Sequence, residues 1–216
     1  MQLIDKMNKK HPNCGPILYI SSIQYFIVQL LVGLKFSPNY NLAKNTISDL
    51  GNTKCGIYDL RSVCSPEHTL MNISFIILGI TLLAGTTLIY RQLEHTKYTH
   101  IGFILFTLSG VGVILVGLFP ENTITFLHGF GATLSFLCGN IGFIMLGLHL
   151  NISEKFKHIS VAFGLIALGA FGLFLINENI TLGEGTMERI AAYPQTIWMI
   201  SVGIYFYIKN RSKLIK

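Results

Sequence analysis

Six long apolar stretches constrain the fold of this chain more than any other feature of its sequence. A helix that crosses a bilayer needs about 20 mostly apolar residues. Six stretches meet this requirement and are predicted as spans, at residues 16–36, 68–90, 100–119, 124–150, 159–176 and 187–208. Charged residues are 12% of the 216 residues, about half the share typical of soluble domains. The sequence therefore predicts one all-α domain over residues 1–216, an integral membrane bundle of six transmembrane helices.

A soluble helical protein is the alternative to this prediction. Its helices would carry charged faces that repeat every 3.6 residues, and none of the six stretches has such a face. The last stretch is interrupted by Pro194. Because the residues after Pro194 alone are too few to span a bilayer, we expect a helix that begins near Met187 and runs through the proline.

Basic residues predict the orientation of the bundle. Most Lys and Arg residues lie near the two termini or in the loops after the second and fourth spans. Short cytoplasmic loops accumulate such residues, so we expect a cell-membrane protein with both termini in the cytoplasm. The formal charge of +6 then reflects this bias and attraction to anionic lipid headgroups. Membrane lipids are the predicted partners, and nucleic acid is not.

Small residues mark a predicted contact face on the fourth span. Gly131, Ser135 and Gly139 recur every four residues, and small residues let helices approach closely in lipid. Tight packing within one chain is the simpler interpretation. A homo-oligomer that meets through these three residues is the alternative.

The loop between the first two spans is predicted to be an ordered outer loop. It contains the motif Asn45-Thr-Ile-Ser-Asp-Leu-Gly51, and long loops in compact proteins are usually functional or disordered. Asp49 and its neighbour Ser48 are typical of a turn or helix start, where a carboxylate accepts backbone N–H bonds. The alternative is that Asp49 acts as a ligand or acid–base group.

Cys55 and Cys64 lie in the same loop, and three states are open for them. An oxidising compartment favours a disulfide. Free thiols are the second alternative. A metal site is the third, although the spacing does not match a structural zinc pattern.

Ionisable residues collect at the outer ends of the spans. His68 begins the second span, Glu121 follows the third, and His128 should lie about one turn inside the fourth. Such groups are rare in membranes and usually face the bundle interior. We interpret His128, Asp49, His68 and Glu121 as candidate catalytic acid–base groups. A purely structural histidine at position 128 is the alternative.

A second set of residues is predicted to bind a ligand at the same end. Arg189 and Glu188 begin the last span, with Tyr193 one turn deeper. An Arg fork can bind phosphate or carboxylate with two hydrogen bonds. Arg189 could instead extend towards lipid phosphates, with Tyr193 at the membrane interface. Ser48 and Asn72 complete the predicted ligand-binding set.

The motifs at this end resemble those of the domain-of-unknown-function 998 family of prokaryotic membrane proteins. The resemblance rests on residues 45–51, the helix start at Asn72, Val116-Gly-Leu-Phe-Pro120, the helix of His128 and Gly185-Thr-Met-Glu-Arg-Ile-Ala-Ala-Tyr-Pro194. It implies a six-helix bundle and no particular reaction. Ile47-Ser-Asp-Leu-Gly51 also resembles a short segment of the Frag1, DRAM and Sfk1 type of six-helix proteins, some of which are tied to lipid remodelling.

Membrane hydrolases of the alkaline-ceramidase type offer a further comparison. They bind zinc through three His, whereas only His68 and His128 lie at the predicted outer side here. Asp49 or Glu121 could complete a mixed site, which makes zinc a minority hypothesis. The sequence assigns no cofactor.

The sequence leaves three functions open. The first is a polar outer pocket that binds or modifies a lipid or another anionic headgroup. The second is a small-solute transporter or sensor, with Gln24, Gln29 and Asn140 as a polar path, although no span shows the broken helices of many transporters. The third is a structural or accessory membrane protein. Whether the chain is an enzyme stays open, and it has none of the common nucleotide or hydrolase motifs.

Overall fold

The computed structural model describes residues 11–58, 60–93, 96–176 and 182–214. The basic residues among the first ten positions, which contribute to the predicted orientation, lie outside these ranges. The α-helices are α1 Cys14–Ser21, α2 Gln24–Gly33, α3 His68–Tyr90, α4 Lys97–Leu118, α5 Thr125–His149, α6 Glu154–Ile176 and α7 Glu184–Leu214. The strands are β1 Gly56–Tyr58 and β2 Arg61–Val63.

Five helical segments among the described residues are long and apolar enough to cross a membrane. They are Cys14–Gly33, which combines α1 and α2, and then α3, α4, α5 and α6. The chain is therefore a multi-pass membrane protein by helix length and composition. Helix α7 has 31 residues and contains Pro194, as the length of the last apolar stretch predicts. It is not one of the five segments, so the sixth span stays a prediction.

The first span is broken, which corrects the prediction of one uninterrupted helix over residues 16–36. Ser22 and Ile23 separate α1 from α2, and their N–H groups bond to carbonyls three residues back instead of four. This is the tighter 3-10 geometry, which often marks a bend. The Ser22 hydroxyl also lies 3.2 Å from that of Thr81 in α3, so the bend is tied to the neighbouring helix.

The helices form a closed ring in the order α1, α3, α4, α5, α6, α7 and back to α1. Helices α4 and α5 are antiparallel and approach most closely where glycines face each other. A Cβ atom on Gly112 would lie 2.7 Å from the backbone nitrogen of Ser135, and one on Gly131 would lie 2.7 Å from the Gly112 carbonyl oxygen. Gly139 lies against Ser109 of α4 and Gln195 of α7. The small residues of α5 thus make close contacts within the chain.

Residues 34–67, here called the cap, cover one end of the ring. The 3-10 turn Ser48–Gly51 lies in the cap and contacts α2 and α3. Strands β1 and β2 pair as an antiparallel hairpin with Gly56 opposite Val63. A disulfide between Cys55 and Cys64 joins the two ends of this hairpin. The side chains of Ile47, Leu50 and Val63 are buried and anchor the cap to the bundle.

Candidate functional site

Asp49 organises the turn of the cap that carries Ser48. Its carboxylate accepts hydrogen bonds from the Thr46 backbone N–H at 3.1 Å and from the Asn45 side-chain amide at 2.9 Å. The Asp49 N–H in return donates to the Thr46 hydroxyl at 3.0 Å. This reciprocal pair is a local turn of the kind that Asp favours. It explains why a fully buried carboxylate is tolerated at this position.

Arg61 joins the hairpin of the cap to Asp49 and to α7. Its Nε donates to the Asp49 carboxylate at 3.1 Å, and its Nη1 pairs with Glu184 at the start of α7. Burial alone would lower the pKa of Arg61, but the charge and hydrogen bond of Asp49 and the charge of Glu184 outweigh it and raise the pKa. The guanidinium is therefore always charged, and it links three parts of the chain.

Glu121 follows α4 and is buried beside this cluster. Its Oε1 atom has no hydrogen-bond partner among the described residues. Burial raises the pKa of Glu121 well above its ordinary value, and the charge and hydrogen bond of Asp49 and the charge of Glu188 raise it further, while Arg61 opposes them. Folding therefore favours the protonated form of Glu121.

Arg189 is held mostly by the backbone of the cap. One terminal nitrogen, Nη1, donates to the carbonyls of Leu42 at 2.9 Å, Asn45 at 2.8 Å and Gly185 at 2.7 Å. The other terminal nitrogen donates to the hydroxyl of Tyr40. Only Nε, within the described part of the chain, lacks a partner. The guanidinium thus fastens the cap to α7, and little of its fork is available to a ligand.

His128, Ser48 and Glu188 form a continuous chain of hydrogen bonds between α5, the cap and α7. His128 Nδ1 lies 2.9 Å from the Phe119 carbonyl oxygen, and its Nε2 lies 3.0 Å from the Ser48 hydroxyl. The same hydroxyl lies 3.0 Å from Glu188 Oε1. The other carboxylate oxygen of Glu188 accepts the backbone N–H of Ile47. These three side chains are here called the triad, and all three are buried.

His68 and Asn72 lie at the start of α3, apart from the triad's hydrogen bonds. His68 Nδ1 lies 2.9 Å from the Ser65 carbonyl oxygen, which is the contact of a helix-start residue. The Asn72 amide donates to the Gly51 carbonyl at 2.9 Å and so supports the turn of the cap. Both contacts stabilise the junction of the cap with α3.

The residues of the minority zinc hypothesis do not assemble into a metal site. In the ranges that the structure describes, no group of three His, Cys, Asp or Glu side chains is placed to hold a metal ion. His128 is bonded to Ser48, and Asp49 is bonded to Arg61. Each of these two groups is therefore already engaged within the protein.

A small cavity lies beneath the triad, inside the helix ring. Its volume is about 40 Å³ of space for the centres of water molecules, and Ser48 and Glu188 form part of its wall. Ser135 of α5 and Gln195 of α7 line it as well. Gln195 donates to the Ser109 hydroxyl at 2.7 Å. The cavity is polar enough and large enough for a few water molecules.

A much larger groove runs along the outside of α6 and α7. Its volume is about 650 Å³, and its walls are almost entirely apolar. Phe156, Ile159, Phe163, Ile166, Ile190 and Ile197 form most of them. Arg189, Thr186 and the cap residues Leu42 and Ala43 lie at one end. Since Ile159, Phe163 and Ile166 are more than half exposed, the groove is open to the side of the bundle.

A second groove lies on the other side of Tyr193, against α2. Its volume is about 390 Å³, and Gln29, Tyr40, Leu42 and Tyr193 are among its lining residues. The Tyr193 hydroxyl donates to Gln29 Oε1 at 2.8 Å. The amide nitrogen of Gln29 is buried, and no described atom accepts a hydrogen bond from it. The two grooves thus meet at Leu42 and Tyr193, close to Arg189.

Comparison with known proteins identifies the family. A family model described as "Protein of unknown function (DUF998)" matches residues 20–205. The chain belongs to this family. No curated protein and no solved structure matches the chain. The family covers most of the chain, including the cap, the triad and the large groove.

Several residues that build the site in this DUF998 protein were not among the sequence candidates. Arg61, Glu184, Tyr40 and Gln195 were not singled out, because each is polar in a loop or at a helix position where solvent exposure is equally plausible. Arg61 in the cap and Glu184 at the start of α7 have opposite charges, and this was the available signal that they form an ion pair. No sequence pattern indicates that Tyr40 would receive the Arg189 guanidinium.

Proposed function

We propose that this DUF998 protein binds a phospholipid from the bilayer. One acyl chain lies in the groove between α6 and α7, and the phosphate headgroup lies at the cap end of the groove, beside Arg189. Among the three functions that the sequence left open, this is the binding form of the first. The observation that carries the proposal is a long apolar groove that ends at a buried arginine.

The size and lining of the groove support an acyl chain as its occupant. Its volume of about 650 Å³ lies within the range of small-molecule sites, about 300–1,000 Å³. Its walls come from α6, one of the five candidate spans, and from α7. A groove of this depth on the side of a membrane bundle is bathed in hydrocarbon, and an acyl chain matches its apolar walls.

Unpaired donors at the cap end support a headgroup that is rich in acceptor oxygens. Arg189 Nε and Gln29 Nε2 are buried, and neither has a partner in the described ranges. Lys44 is exposed next to Ala43, which lines the end of the groove. A phosphate group would satisfy donors that are costly to leave unpaired, and it would compensate positive charge at the groove's end.

The proposal includes α7 as the sixth span. Its 31 residues correspond to about 46 Å of helix, which exceeds the hydrocarbon thickness of about 30 Å. Helix α7 packs against α1 and α6, both parts of candidate spans. Its greater polarity is accounted for by buried contacts such as those of Arg189 and Gln195.

Groove filling tests the proposal directly. The Ile166→Trp variant places an indole in the groove at a position that is 57% exposed and has no polar contact to lose. After purification in mild detergent, phospholipid per protein is measured by lipid extraction with mass spectrometry. We expect the wild type to retain close to one phospholipid per chain and the variant to retain about tenfold less.

The matched control is Ile80→Trp on α3, where the isoleucine is 50% exposed and does not line the groove. It should retain lipid as the wild type does. Equal retention by Ile166→Trp and wild type would contradict the proposal. So would a wild type that carries no phospholipid under conditions in which it stays folded.

A further inference from the structure

We propose that the triad is a proton-binding site that fastens the cap to the bundle. His128, Ser48 and Glu188 together hold one exchangeable proton, and loss of this proton breaks one of the two hydrogen bonds at Ser48. The proposal is independent of lipid binding, because it concerns the interior of the ring and the lipid groove lies outside it.

The number of protons follows from the hydrogen-bond partners at the two ends of the triad. His128 Nδ1 faces the Phe119 carbonyl oxygen, which can only accept, so Nδ1 carries a hydrogen. The Glu188 oxygen that faces Ile47 receives the backbone N–H, so this oxygen is an acceptor. The titratable positions that remain are His128 Nε2 and Glu188 Oε1, and the Ser48 hydroxyl lies between them at 3.0 Å from each.

Two hydrogen bonds at the Ser48 oxygen require two hydrogens, and the hydroxyl supplies one. The second is carried either by Glu188 Oε1, as a carboxylic acid beside a neutral imidazole, or by His128 Nε2, as an imidazolium beside a carboxylate. The two forms differ by a concerted shift of two protons through the Ser48 hydroxyl. Glu188 gives its proton to the Ser48 oxygen while Ser48 gives its own to His128 Nε2, so the total number of protons is unchanged.

Removal of this proton leaves one hydrogen for two hydrogen bonds. Ser48 then donates either to Glu188 or to His128, and the other contact brings two acceptors together. All three side chains are buried, and His128 does not line the cavity. An unpaired acceptor at His128 Nε2 is therefore destabilising. The bond from the cap to α5 or the bond from the cap to α7 is therefore weakened.

Charged groups of both signs surround the triad. The titratable and charged groups that interact with Glu188 are Tyr25 of α2, Tyr40 and Asp49 of the cap, Glu121 of the α4–α5 turn, and Arg189 and Tyr193 of α7. Asp49 is paired with Arg61, and the terminal nitrogens of Arg189 are bonded to backbone carbonyls and Tyr40. The cavity beneath Ser48 and Glu188 has room for water molecules that can carry the proton to the triad.

Glu188→Gln is the decisive variant because it imitates the protonated acid. The amide oxygen can still accept the Ile47 N–H, and the amide nitrogen can donate to Ser48, which then donates to His128. Backbone hydrogen exchange of the cap, in the full-length protein in lipid, is measured from mildly acidic to mildly alkaline pH and corrected for the intrinsic exchange rate. In the wild type, we expect protection to fall by up to about tenfold per pH unit over the pH range in which the closed cap still holds the triad proton and the open cap has lost it, since one proton is linked to opening.

We expect Glu188→Gln to keep higher protection of the cap than the wild type at alkaline pH. Glu67→Gln, an exposed change at the start of α3, should retain the wild-type pH dependence. Glu121→Gln removes the separate titration of Glu121 beside Asp49, and the pH dependence that remains should be abolished when Glu188→Gln is added. A pH-independent wild type would overturn the proposal, as would a Glu121→Gln variant whose cap protection is pH-independent or whose pH dependence persists after Glu188→Gln is added.

Infrared spectroscopy of the wild type gives a second test, which does not depend on whether any variant folds. The band of either a protonated carboxyl group or an imidazolium should disappear at the upper end of the pH range over which the protection of the cap falls. If neither band changes in that range, no proton is released from the triad and the proposal is wrong.

Discussion

Individual residues at the cap end are positioned mostly by one another. Arg189 was predicted from the sequence to bind an anion, yet its terminal nitrogens donate to Leu42, Asn45, Gly185 and Tyr40. The sequence correctly indicated that Arg189 and Glu188 belong to the same end of the bundle as Ser48 and Asp49. It could not show which donors are already satisfied, because backbone carbonyls of a distant loop have no sequence signature.

Glu121 gives a prediction about pH and stability. Its pKa is raised well above the ordinary value, first by burial and then by Asp49. A carboxyl with a raised pKa contributes stability that is complete below its unfolded-state pKa and is lost as pH rises through its folded-state pKa. Glu121→Gln removes this loss. Thermal unfolding should therefore show a variant that gains stability over wild type towards alkaline pH, by at most about 1.4 kcal/mol per pH unit.

Two observations would decide the Glu121 prediction. At acidic pH, where Glu121 is protonated in both states, the variant and wild type should have similar melting temperatures. The exposed change Glu67→Gln should follow the wild type at every pH. A constant difference between Glu121→Gln and wild type across the pH range would show that the pKa of Glu121 is the same in the folded and unfolded protein.

The helices themselves were largely predictable from apolar length. The second predicted span, 68–90, coincides with α3, and the third and fourth agree with α4 and α5 within a few residues. Helices α6 and α7 begin earlier than predicted, at Glu154 and Glu184, because charged residues can extend a helix beyond the apolar core. The break at Ser22 was missed, since no Pro or Gly lies there and the contact of Ser22 with Thr81 in another helix has no sequence signal.

At the scale of the helices, the close contact of α4 and α5 gives a prediction. Gly112→Leu places a side chain against the backbone of Gly131 and Ser135, with the new Cβ 2.7 Å from the Ser135 nitrogen. Overpacking of this kind costs about 1–3 kcal/mol. We expect a lower melting temperature in detergent and less protein inserted in the membrane.

Gly172→Leu on α6 is the matched control. A Cβ atom at Gly172 meets no described atom within 4 Å, so the same change should leave the melting temperature near that of the wild type. If both variants are equally stable, the close contact of α4 and α5 is not a feature of the folded protein.

At the scale of the whole molecule, a ring of helices is closed at one end by the cap. The sequence indicated that the polar residues gather at one end of the spans, and the structure brings Ser48, Asp49, Glu121, His128 and Glu188 together there. His68 stayed apart because its side chain completes the junction of the cap with α3. The groove between α6 and α7 was not predicted, since it depends on how two helices separate along their length.

The orientation of the molecule is testable by labelling. In a background where Cys14 and Cys138 are replaced by Ala, a cysteine at Glu67 reports on the cap end, and one at Lys155 reports on the opposite end. Both positions are exposed. The predicted orientation places the cap outside, so an impermeant maleimide should label Glu67→Cys in intact cells and Lys155→Cys only after permeabilisation. The reverse pattern would mean that the cap lies in the cytoplasm.

Because the groove between α6 and α7 opens to the side of the bundle, the concentration that controls its occupancy is the one in the membrane. Ile159, Phe163 and Ile166 are more than half exposed along its length, so exchange takes place in the plane of the membrane. Occupancy then follows the mole fraction of a molecule among its neighbouring lipids, and dilution of the surrounding water leaves it unchanged. A water-soluble headgroup fragment would therefore compete poorly for the groove. A change in the lipid composition of the membrane would change which molecule occupies the groove, with the amount of protein unchanged.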